Sequence, residues 1–194
     1  MQTVALFGAG GKMGMRLTRN LAKNPAYQML YVEVSDTGNE SLAEFGLAPT
    51  PQSDALQSAD IVILALPDRI IGKVAHEIVP IIRAGVMVMT LDPAAPYAGD
   101  LPDRGDISYF VTHPCHPSVF NYDATPDERR DFFGGVKAPQ AIVCALMQGP
   151  EEDYARGEAL ASAMYAPVTC SHRVTVEQMA ILEPAMAETV AACC

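Results

Sequence analysis

The chain has 194 residues, of which 49% are apolar, and a formal net charge of −10. Its 13 lysines and arginines form no cluster, so the charge excludes an electrostatic footprint for nucleic acid. No apolar run reaches the roughly 18 residues of a membrane span, and no export segment opens the chain. We therefore expect a cytoplasmic protein without a membrane or nucleic-acid partner. Five cysteines without a C-x-x-C pair predict reduced thiols.

The first fourteen residues predict a dinucleotide site. A buried strand from Val4 to Phe7 leads into a glycine-rich turn, and an apolar i, i+4 stripe after the turn predicts a helix. The free N–H groups at the start of such a helix bind a pyrophosphate. We expect Gly8 to make the sharp turn, Gly10 or Gly11 to admit the phosphate, and Gly14 to let the helix pack on the strand.

An acidic residue after the second strand predicts the choice of cofactor. We interpret residues 27–35 as a strand and Asp36 as the residue at its carboxyl end, where it would accept hydrogen bonds from the adenosine ribose. The same carboxylate would repel a 2′-phosphate, so we expect NAD. The alternative is an ordinary turn residue. The predicted cofactor-binding residues are Gly8, Gly10, Gly11, Lys12, Met13, Gly14, Asp36, Leu66 and Pro67.

The rest of the chain alternates between strand and helix patterns. Apolar runs predict further strands at 60–66, 86–91, 107–112, 141–147 and 168–174, and amphipathic patterns predict helices at 39–46, 69–83, 151–165 and from 175 onward. This alternation predicts an α/β fold with a Rossmann-like doubly wound, mostly parallel sheet. Ligands of such sheets bind beyond the carboxyl ends of the strands, where the loops 92–96 and 113–117 would lie and where Leu66 and Pro67 would adjoin the nicotinamide.

The last helix predicts a second domain. Thr175 and Gln178 form a capping box, and the helix carries the apolar stripe Met179, Leu182, Met186 and Val190 without any C-cap signal. We therefore expect residues 1–172 to form a nucleotide-binding domain and residues 173–194 to begin an all-helical domain that this chain does not complete. Residues 1–194 alone are expected to bind the cofactor but to lack activity.

Several motifs together resemble a known group: the glycine turn, residues 60–67, 77–80, 91–95 and 113–117. The chain resembles the NAD-binding half of the 6-phosphogluconate dehydrogenase and ketol-acid reductoisomerase superfamily, in particular its semialdehyde dehydrogenase-like NAD-binding group, over nearly its whole length. The resemblance implies NAD-dependent oxidation and isomerisation of a branched sugar acid such as D-apionate, and a homodimer when the protein is full length. The glycine spacing departs from that pattern and is similar to that of dihydrodipicolinate reductases, whose histidine pair and lysine are not found here.

Two histidines in a proline-rich segment are the predicted reaction centre. His113 and His116 are flanked by Pro114 and Pro117, which restrict the backbone and hold the imidazoles in place. We assign His113 as the base or a substrate ligand and His116 as a ligand of a divalent metal, zinc or magnesium. A structural loop whose histidines bind only backbone is the alternative.

Carboxylates of the last helix are candidates for the remaining metal ligands. We favour Glu183, beside Pro184, over Glu188, because residues five apart on a helix do not face one ion. An ordinary solvated glutamate is an equally good interpretation of Glu183.

Three further residues suggest roles in the reaction. Lys137 and Arg173 are candidates for binding a substrate carboxylate, so the predicted catalytic set is His113, His116 and Lys137. Cys115 raises the alternative of a semialdehyde dehydrogenase, although no helix N-terminus is predicted there to lower its pKa. A non-catalytic NAD(H)-sensing module remains the other alternative.

Overall fold

The computed structural model describes residues 1–117, 123–131 and 136–184. Seven strands form one sheet in the order β2-β1-β3-β4-β5-β6-β7. The strands are β1 (Gln2–Phe7), β2 (Tyr27–Val32), β3 (Ile61–Leu64), β4 (Met87–Thr90), β5 (Ser108–Pro114), β6 (Gln140–Gln148) and β7 (Val168–Arg173). The helices are α1 (Lys12–Leu21), α2 (Asp36–Glu44), α3 (Gln52–Ser58), α4 (Asp68–Ile78), α5 (Ala94–Ala98), α6 (Pro126–Arg130), α7 (Glu152–Met164) and α8 (Val176–Pro184).

The strand order creates a crevice for a ligand. Strands β1 to β5 are mutually parallel, β6 is antiparallel to β5, and β7 is parallel to β6. The chain leaves β1 first toward β2 and later toward β3 on the other side, so the topological switch point lies between β1 and β3. Ligands of open α/β sheets bind at this point, beyond the carboxyl ends of the strands.

Helices cover both faces of the sheet, as a doubly wound fold requires. One face packs its strand residues against Leu17 and Leu21 of α1 and Leu160 of α7. The other face packs against Ile71 and Ala75 of α4 and against α3. The central strands are buried on both faces because they alternate side chains between these two cores. The expected Rossmann-like α/β fold is confirmed.

Most differences between expectation and structure concern where elements end. Helix α4 stops at Ile78 and a 3₁₀ turn spans Val79–Ile81, because Pro80 lacks the N–H that would continue the helix. Strand β2 stops at Val32, short of the expected residue 35. The short helices α3, α5 and α6 lie outside the segments for which we predicted helices.

The final helix begins as expected. Thr175 N–H donates to Gln178 Oε1 at 2.9 Å and Gln178 N–H donates to Thr175 Oγ1 at 3.1 Å, which confirms the capping box. Met179 is buried against β5 and β6, but Leu182 of the expected apolar stripe is 53% exposed. Met186 and Val190 lie outside the described residues. Among the described residues, no helix is long and apolar enough to cross a bilayer.

Candidate cofactor and catalytic site

Gly8 and Gly14 shape the turn between β1 and α1. Gly8 has φ +73°, a left-handed conformation that side-chain-bearing residues rarely adopt, and a Cβ there would lie 2.4 Å from the Ala65 carbonyl oxygen. A Cβ on the buried Gly14 would lie 2.0 Å from the Gly8 carbonyl oxygen. The expected roles of these two glycines, the sharp turn and the close packing of helix on strand, therefore agree with the structure.

The N-terminus of α1 faces the switch point without a capping side chain. Gly11 occupies the N-cap position, so no side chain takes up the free N–H groups of the first turn. Lys12 opens the helix and is exposed, whereas Met13 is half-buried against the core. Free backbone donors at the positive end of a helix suit a pyrophosphate.

Gly10 has a packing role that the sequence did not reveal. A Cβ on Gly10 would lie 2.0 Å from the carbonyl oxygen of Gly38, which is in the first turn of α2. Gly38 in turn leaves no room for a side chain because the Glu33 carboxyl group would lie 2.4 Å from its Cβ. The glycine turn therefore packs directly on the backbone of α2, and α2 packs directly on the Glu33 carboxyl group.

Glu33, directly after β2, is the acidic residue that faces the glycine turn. Its Oε2 accepts a hydrogen bond from Gly10 N–H at 2.9 Å, and its Oε1 accepts from Val34 N–H and Ser35 N–H, each at 2.9 Å. Burial acts to raise the pKa of Glu33, but these hydrogen bonds outweigh it and the pKa is lowered. An ionised carboxylate therefore lies where the adenosine ribose of a dinucleotide binds in this fold.

Asp36 does not end the second strand, and that expectation is corrected. Ser35 is the N-cap of α2, and its hydroxyl oxygen accepts a hydrogen bond from Gly38 N–H at 3.1 Å. Asp36 is consequently the exposed first residue of the helix. A serine before an acidic residue is an N-cap signal, and reading it as one would have left Glu33 as the acid next to the strand. The role of Asp36 in cofactor binding stays a prediction.

Leu66 and Pro67 lie across the crevice from the glycine turn. They follow β3, with Pro67 at the N-cap position of α4. Leu66 is close enough to the turn that a Cβ on Gly8 would approach its side chain to 3.0 Å. Their placement at the switch point is as expected, and contact with a nicotinamide stays a prediction.

His113 lies within β5 and has a fixed ring orientation. Its Nδ1 is 2.9 Å from the Leu91 carbonyl oxygen, at the end of the neighbouring strand β4. A carbonyl can only accept, so Nδ1 must carry the hydrogen, and in the neutral ring Nε2 then has the free lone pair. The residue therefore presents a proton acceptor at the edge where ligands bind.

Two carboxylates share this edge with His113, and the sequence analysis assigned neither of them a role. Asp68 follows β3 and Asp92 follows β4, where its Oδ1 accepts from Ala94 N–H at 2.7 Å. Partial burial and then the Asp92 charge raise the pKa of Asp68, while His113 lowers it. Asp68 thus interacts electrostatically with both Asp92 and His113. An acid in the loop that follows a parallel strand is the sequence signal that would have indicated them.

His116 has an unusual backbone conformation beside His113. Its φ is +56°, which is uncommon for a residue with a side chain. The two imidazole rings meet edge to face with their centroids 6.1 Å apart. Left-handed backbone at such a position is maintained only where the surroundings enforce it, and such residues cluster at functional sites.

The expected metal site is not assembled by the residues that the structure describes. Among them, no group of three or more histidine, cysteine, aspartate or glutamate side chains is placed to hold an ion. Glu183 lies in α8, but its side chain and all of Glu188 are outside the described residues. Metal ligation by His116 and Glu183 stays a prediction.

The other suggested residues differ in their position. Lys137 is exposed just before β6, at the same edge as His113, and its backbone N–H is bound by Asp131. Arg173 is the last residue of β7, beside Cys144 of β6, and it pairs with both oxygens of Glu151 and stacks on Tyr154. The role of Arg173 in substrate binding stays a prediction, and in this structure its charge is paired with Glu151.

Cys115 does not have the properties of an activated thiol. Desolvation and then the nearby Cys170 thiol raise its pKa, which reduces the thiolate fraction at neutral pH. The structure therefore offers no support for the semialdehyde dehydrogenase alternative.

The sheet order, the uncapped α1 and the acid-histidine edge define a Rossmann-fold oxidoreductase that uses a dinucleotide. Two family models agree with this class: "NADP oxidoreductase coenzyme F420-dependent" matches residues 3–93, and "Phosphogluconate dehydrogenase (decarboxylating) C-term" matches residues 121–194.

Curated relatives identify the family. The chain is 56% identical to a D-apionate oxidoisomerase from Cupriavidus necator, over 98% of the chain and 69% of that protein, and 42% identical to one from Blautia hydrogenotrophica, over 98% and 67%. The chain belongs to the D-apionate oxidoisomerase family, and the expectation of an oxidoreductase is confirmed.

Solved structures extend the comparison. A semialdehyde dehydrogenase NAD-binding protein from Cupriavidus necator, in complex with calcium and NAD, is 55% identical with a TM-score of 0.95, over the whole chain and 70% of that protein. An NADH-preferring ketol-acid reductoisomerase from an uncultured archaeon is 18% identical with a TM-score of 0.74, over 99% of the chain and 59% of that protein. The second likeness shows the fold alone.

Proposed function

We propose that the protein is an NAD-dependent oxidoisomerase of a branched sugar acid, with D-apionate as the substrate. The observation that carries the oxidation step is the hydrogen bond between His113 Nδ1 and the Leu91 carbonyl oxygen at 2.9 Å. It makes Nδ1 the donor, so that Nε2 is the nitrogen that accepts a proton in the neutral tautomer. The isomerisation and the choice of D-apionate are supported by relatives of that name at 56% and 42% identity.

NAD fits the crevice for three reasons. The uncapped N-terminus of α1 suits the pyrophosphate. Glu33 suits the adenosine ribose hydroxyls and would repel a 2′-phosphate. Gly8 and Gly14 bring the backbone into the close packing that such a turn needs. NAD⁺, when bound, supplies the acceptor for the hydride from the substrate carbinol carbon.

His113 completes the oxidation. Its Nε2 accepts the proton of the carbinol hydroxyl as the C–H hydride leaves, so the substrate becomes a ketone and the ring becomes an imidazolium. Asp68, which interacts electrostatically with His113, would stabilise that positive charge.

The substitution His113→Asn tests this function, because the asparagine amide can still donate to the Leu91 carbonyl but has no basic nitrogen. With NAD and D-apionate, the full-length wild-type protein should produce NADH absorbance at 340 nm. The variant should lose about 10²- to 10⁴-fold in kcat, the usual contribution of a general base, while its Kd for NAD is unchanged.

His76→Asn is the matched control. His76 is also a histidine whose Nδ1 lies 2.9 Å from a backbone carbonyl, that of Gly72, but it is exposed on α4. The control should retain wild-type kcat. Binding of NAD without turnover of any sugar acid would instead favour the NAD(H)-sensing module, and full activity of His113→Asn would refute the assigned base.

A further inference from the structure

The Leu91 carbonyl that orients His113 follows strand β4 and lies beyond its register with β5. The last pair in that register is Thr90 with Val111, and Leu91 comes directly after it. The Leu91 carbonyl oxygen accepts a hydrogen bond from His113 Nδ1 at 2.9 Å. The Leu91 side chain is buried in the core, which anchors the residue on one side. The direction of its carbonyl therefore depends on the backbone that comes next.

Asp92 holds that backbone with its side chain. The Leu91 carbonyl belongs to the planar peptide group that joins Leu91 to Asp92. Asp92 Oδ1 accepts a hydrogen bond from Ala94 N–H, two residues further on, at 2.7 Å. This contact forms an Asx turn. Pro93 lies between the two residues and restricts Asp92 to extended backbone. The carboxylate of Asp92 thus fixes the peptide group that carries the Leu91 carbonyl.

Helix α5 anchors the other end of this turn. Pro93 is buried, and its carbonyl oxygen accepts a hydrogen bond from Tyr97 N–H at 2.8 Å. Ala95 packs in the core on the face of the sheet that α4 covers. The first turn of α5 is therefore held against the sheet, and the hydrogen bond from Ala94 ties Asp92 to it.

The direction of the Leu91 carbonyl determines which nitrogen of His113 is basic. While the carbonyl accepts from Nδ1, Nε2 keeps its lone pair in the neutral ring. Without a fixed acceptor at Nδ1, the single hydrogen of the neutral ring would be shared between the two nitrogens. The fraction of His113 able to accept the substrate proton would then fall, while the contacts of the substrate would stay the same.

We propose that Asp92 is a positioning residue for His113. Its turn to Ala94 holds the Leu91 carbonyl against His113 Nδ1 and so keeps the imidazole in the tautomer that accepts the substrate proton. This inference rests on the proposed function. Asp92 acts here as a hydrogen-bond acceptor of fixed geometry, and this role does not require its charge.

Four substitutions in the full-length protein separate the turn from the charge. Asp92→Asn and Asp92→Ser remove the charge but keep an oxygen that accepts from Ala94, so they should retain the wild-type kcat for D-apionate. Asp92→Ala and Asp92→Glu lose the turn, and Asp92→Glu keeps the charge. These two variants should lose about 5- to 30-fold in kcat, the effect of one lost side-chain cap, with KM and the Kd for NAD unchanged.

Nitrogen NMR of isotope-labelled histidine rings measures the tautomer without turnover. The His113 signals, identified by their loss in His113→Asn, should show the hydrogen on Nδ1 in the wild type, Asp92→Asn and Asp92→Ser. In Asp92→Ala and Asp92→Glu, the same signals should move toward the average of the two tautomers.

Asn24→Ala is the matched control. The sequence Asn24-Pro25-Ala26 has the same pattern as Asp92-Pro93-Ala94, and Asn24 Oδ1 accepts from Ala26 N–H at 3.0 Å. This second turn precedes β2, at the amino-terminal edge of the sheet, whereas His113 lies near the carboxyl end of β5. Loss of the Asn24 turn should leave the tautomer of His113 and kcat at their wild-type values.

An equal fall in kcat for Asp92→Asn and Asp92→Ala would show that the charge is required and would overturn the proposal. So would an unchanged His113 tautomer in Asp92→Ala and Asp92→Glu. If Asp92→Ala does not fold, Asp92→Glu compared with Asp92→Asn separates turn from charge. Absence of wild-type turnover, together with the expected change in tautomer, would overturn the proposed function and leave the positioning role in place.

Discussion

Glu33 and Gly10 are joined by a 2.9 Å hydrogen bond between the carboxylate Oε2 and the backbone N–H. The bond ties the residue after β2 to the turn after β1, the two loops between which a dinucleotide lies in this fold. The same carboxylate accepts from Val34 and Ser35, so it is oriented before any ligand arrives. This pre-orientation reduces the entropy that cofactor binding must offset.

Glu33→Gln should weaken NAD binding and reduce the preference of the protein for NAD over NADP. Loss of a charge-assisted acceptor for the ribose hydroxyls corresponds to about 1.5–3 kcal/mol, or roughly 10- to 100-fold in Kd. Fluorescence titration with NADH and NADPH measures both. Asp36→Asn is the comparison, since Asp36 is exposed on the first turn of α2. A larger increase in the Kd for NADH from Asp36→Asn than from Glu33→Gln would show that Asp36 is the residue that binds the ribose.

Glu33 and Asp36 show which features could be predicted from the sequence and which could not. The alternation of strands and helices and the capping box at Thr175 depend on local chemistry and were predictable. The orientation of the Glu33 carboxylate depends on a hydrogen bond from Gly10, 23 residues away in sequence. No local pattern contains that partner.

The edge of the sheet that carries His113, Asp68 and Asp92 could be predicted only in part, for the same reason. His113 was recognised from its proline-rich segment, but its Nδ1 partner is the Leu91 carbonyl, 22 residues away. Asp68 and Asp92 follow strands that become neighbours of β5 only through the sheet order. They come to the same edge because of the order of the strands in the sheet. The sequence pattern indicates the fold class but not this strand order.

Gly10→Ala should disrupt both folding and cofactor binding. The new Cβ would lie 2.0 Å from the Gly38 carbonyl oxygen, and backbone on both sides prevents relief by a side-chain rotation. Overpacking of this kind costs about 1–3 kcal/mol in the free energy of unfolding. Urea denaturation and NADH titration measure the two effects. Gly105→Ala, where a Cβ meets nothing within 4 Å, should be neutral. Equal stability of the two variants would contradict the packing role of Gly10.

Tyr165→Phe should stabilise the protein. The Tyr165 hydroxyl is buried without a hydrogen-bond partner in the described chain, and removing such a group relieves a desolvation cost of about 1–3 kcal/mol. The phenylalanine ring keeps the same packing in the core. Chemical denaturation should show a higher midpoint with an unchanged slope. Tyr154→Phe, on α7, loses a 3.3 Å contact with Glu158 and should gain nothing. A lower midpoint for Tyr165→Phe would show that the hydroxyl has a partner.

Asp60→Asn should destabilise the protein only while Asp60 is ionised. Asp60 Oδ2 accepts from Thr3 N–H at 2.9 Å and Oδ1 accepts from Arg83 at 3.1 Å, and the Thr3 bond is the main cause that lowers its pKa below the ordinary 3.8. A lowered pKa in the folded state means that the carboxylate stabilises the fold above the unfolded-state pKa and loses this effect as the pH falls through the folded-state pKa.

The difference in unfolding free energy between the wild type and Asp60→Asn should therefore be about 1 kcal/mol near neutral pH and should shrink below about pH 4. Urea unfolding of both proteins across this range measures it. Asp103→Asn, which changes an exposed carboxylate in the loop before β5, controls for the loss of one negative charge. A difference that stays constant with pH would show that the hydrogen bonds of Asp60 do not depend on its charge.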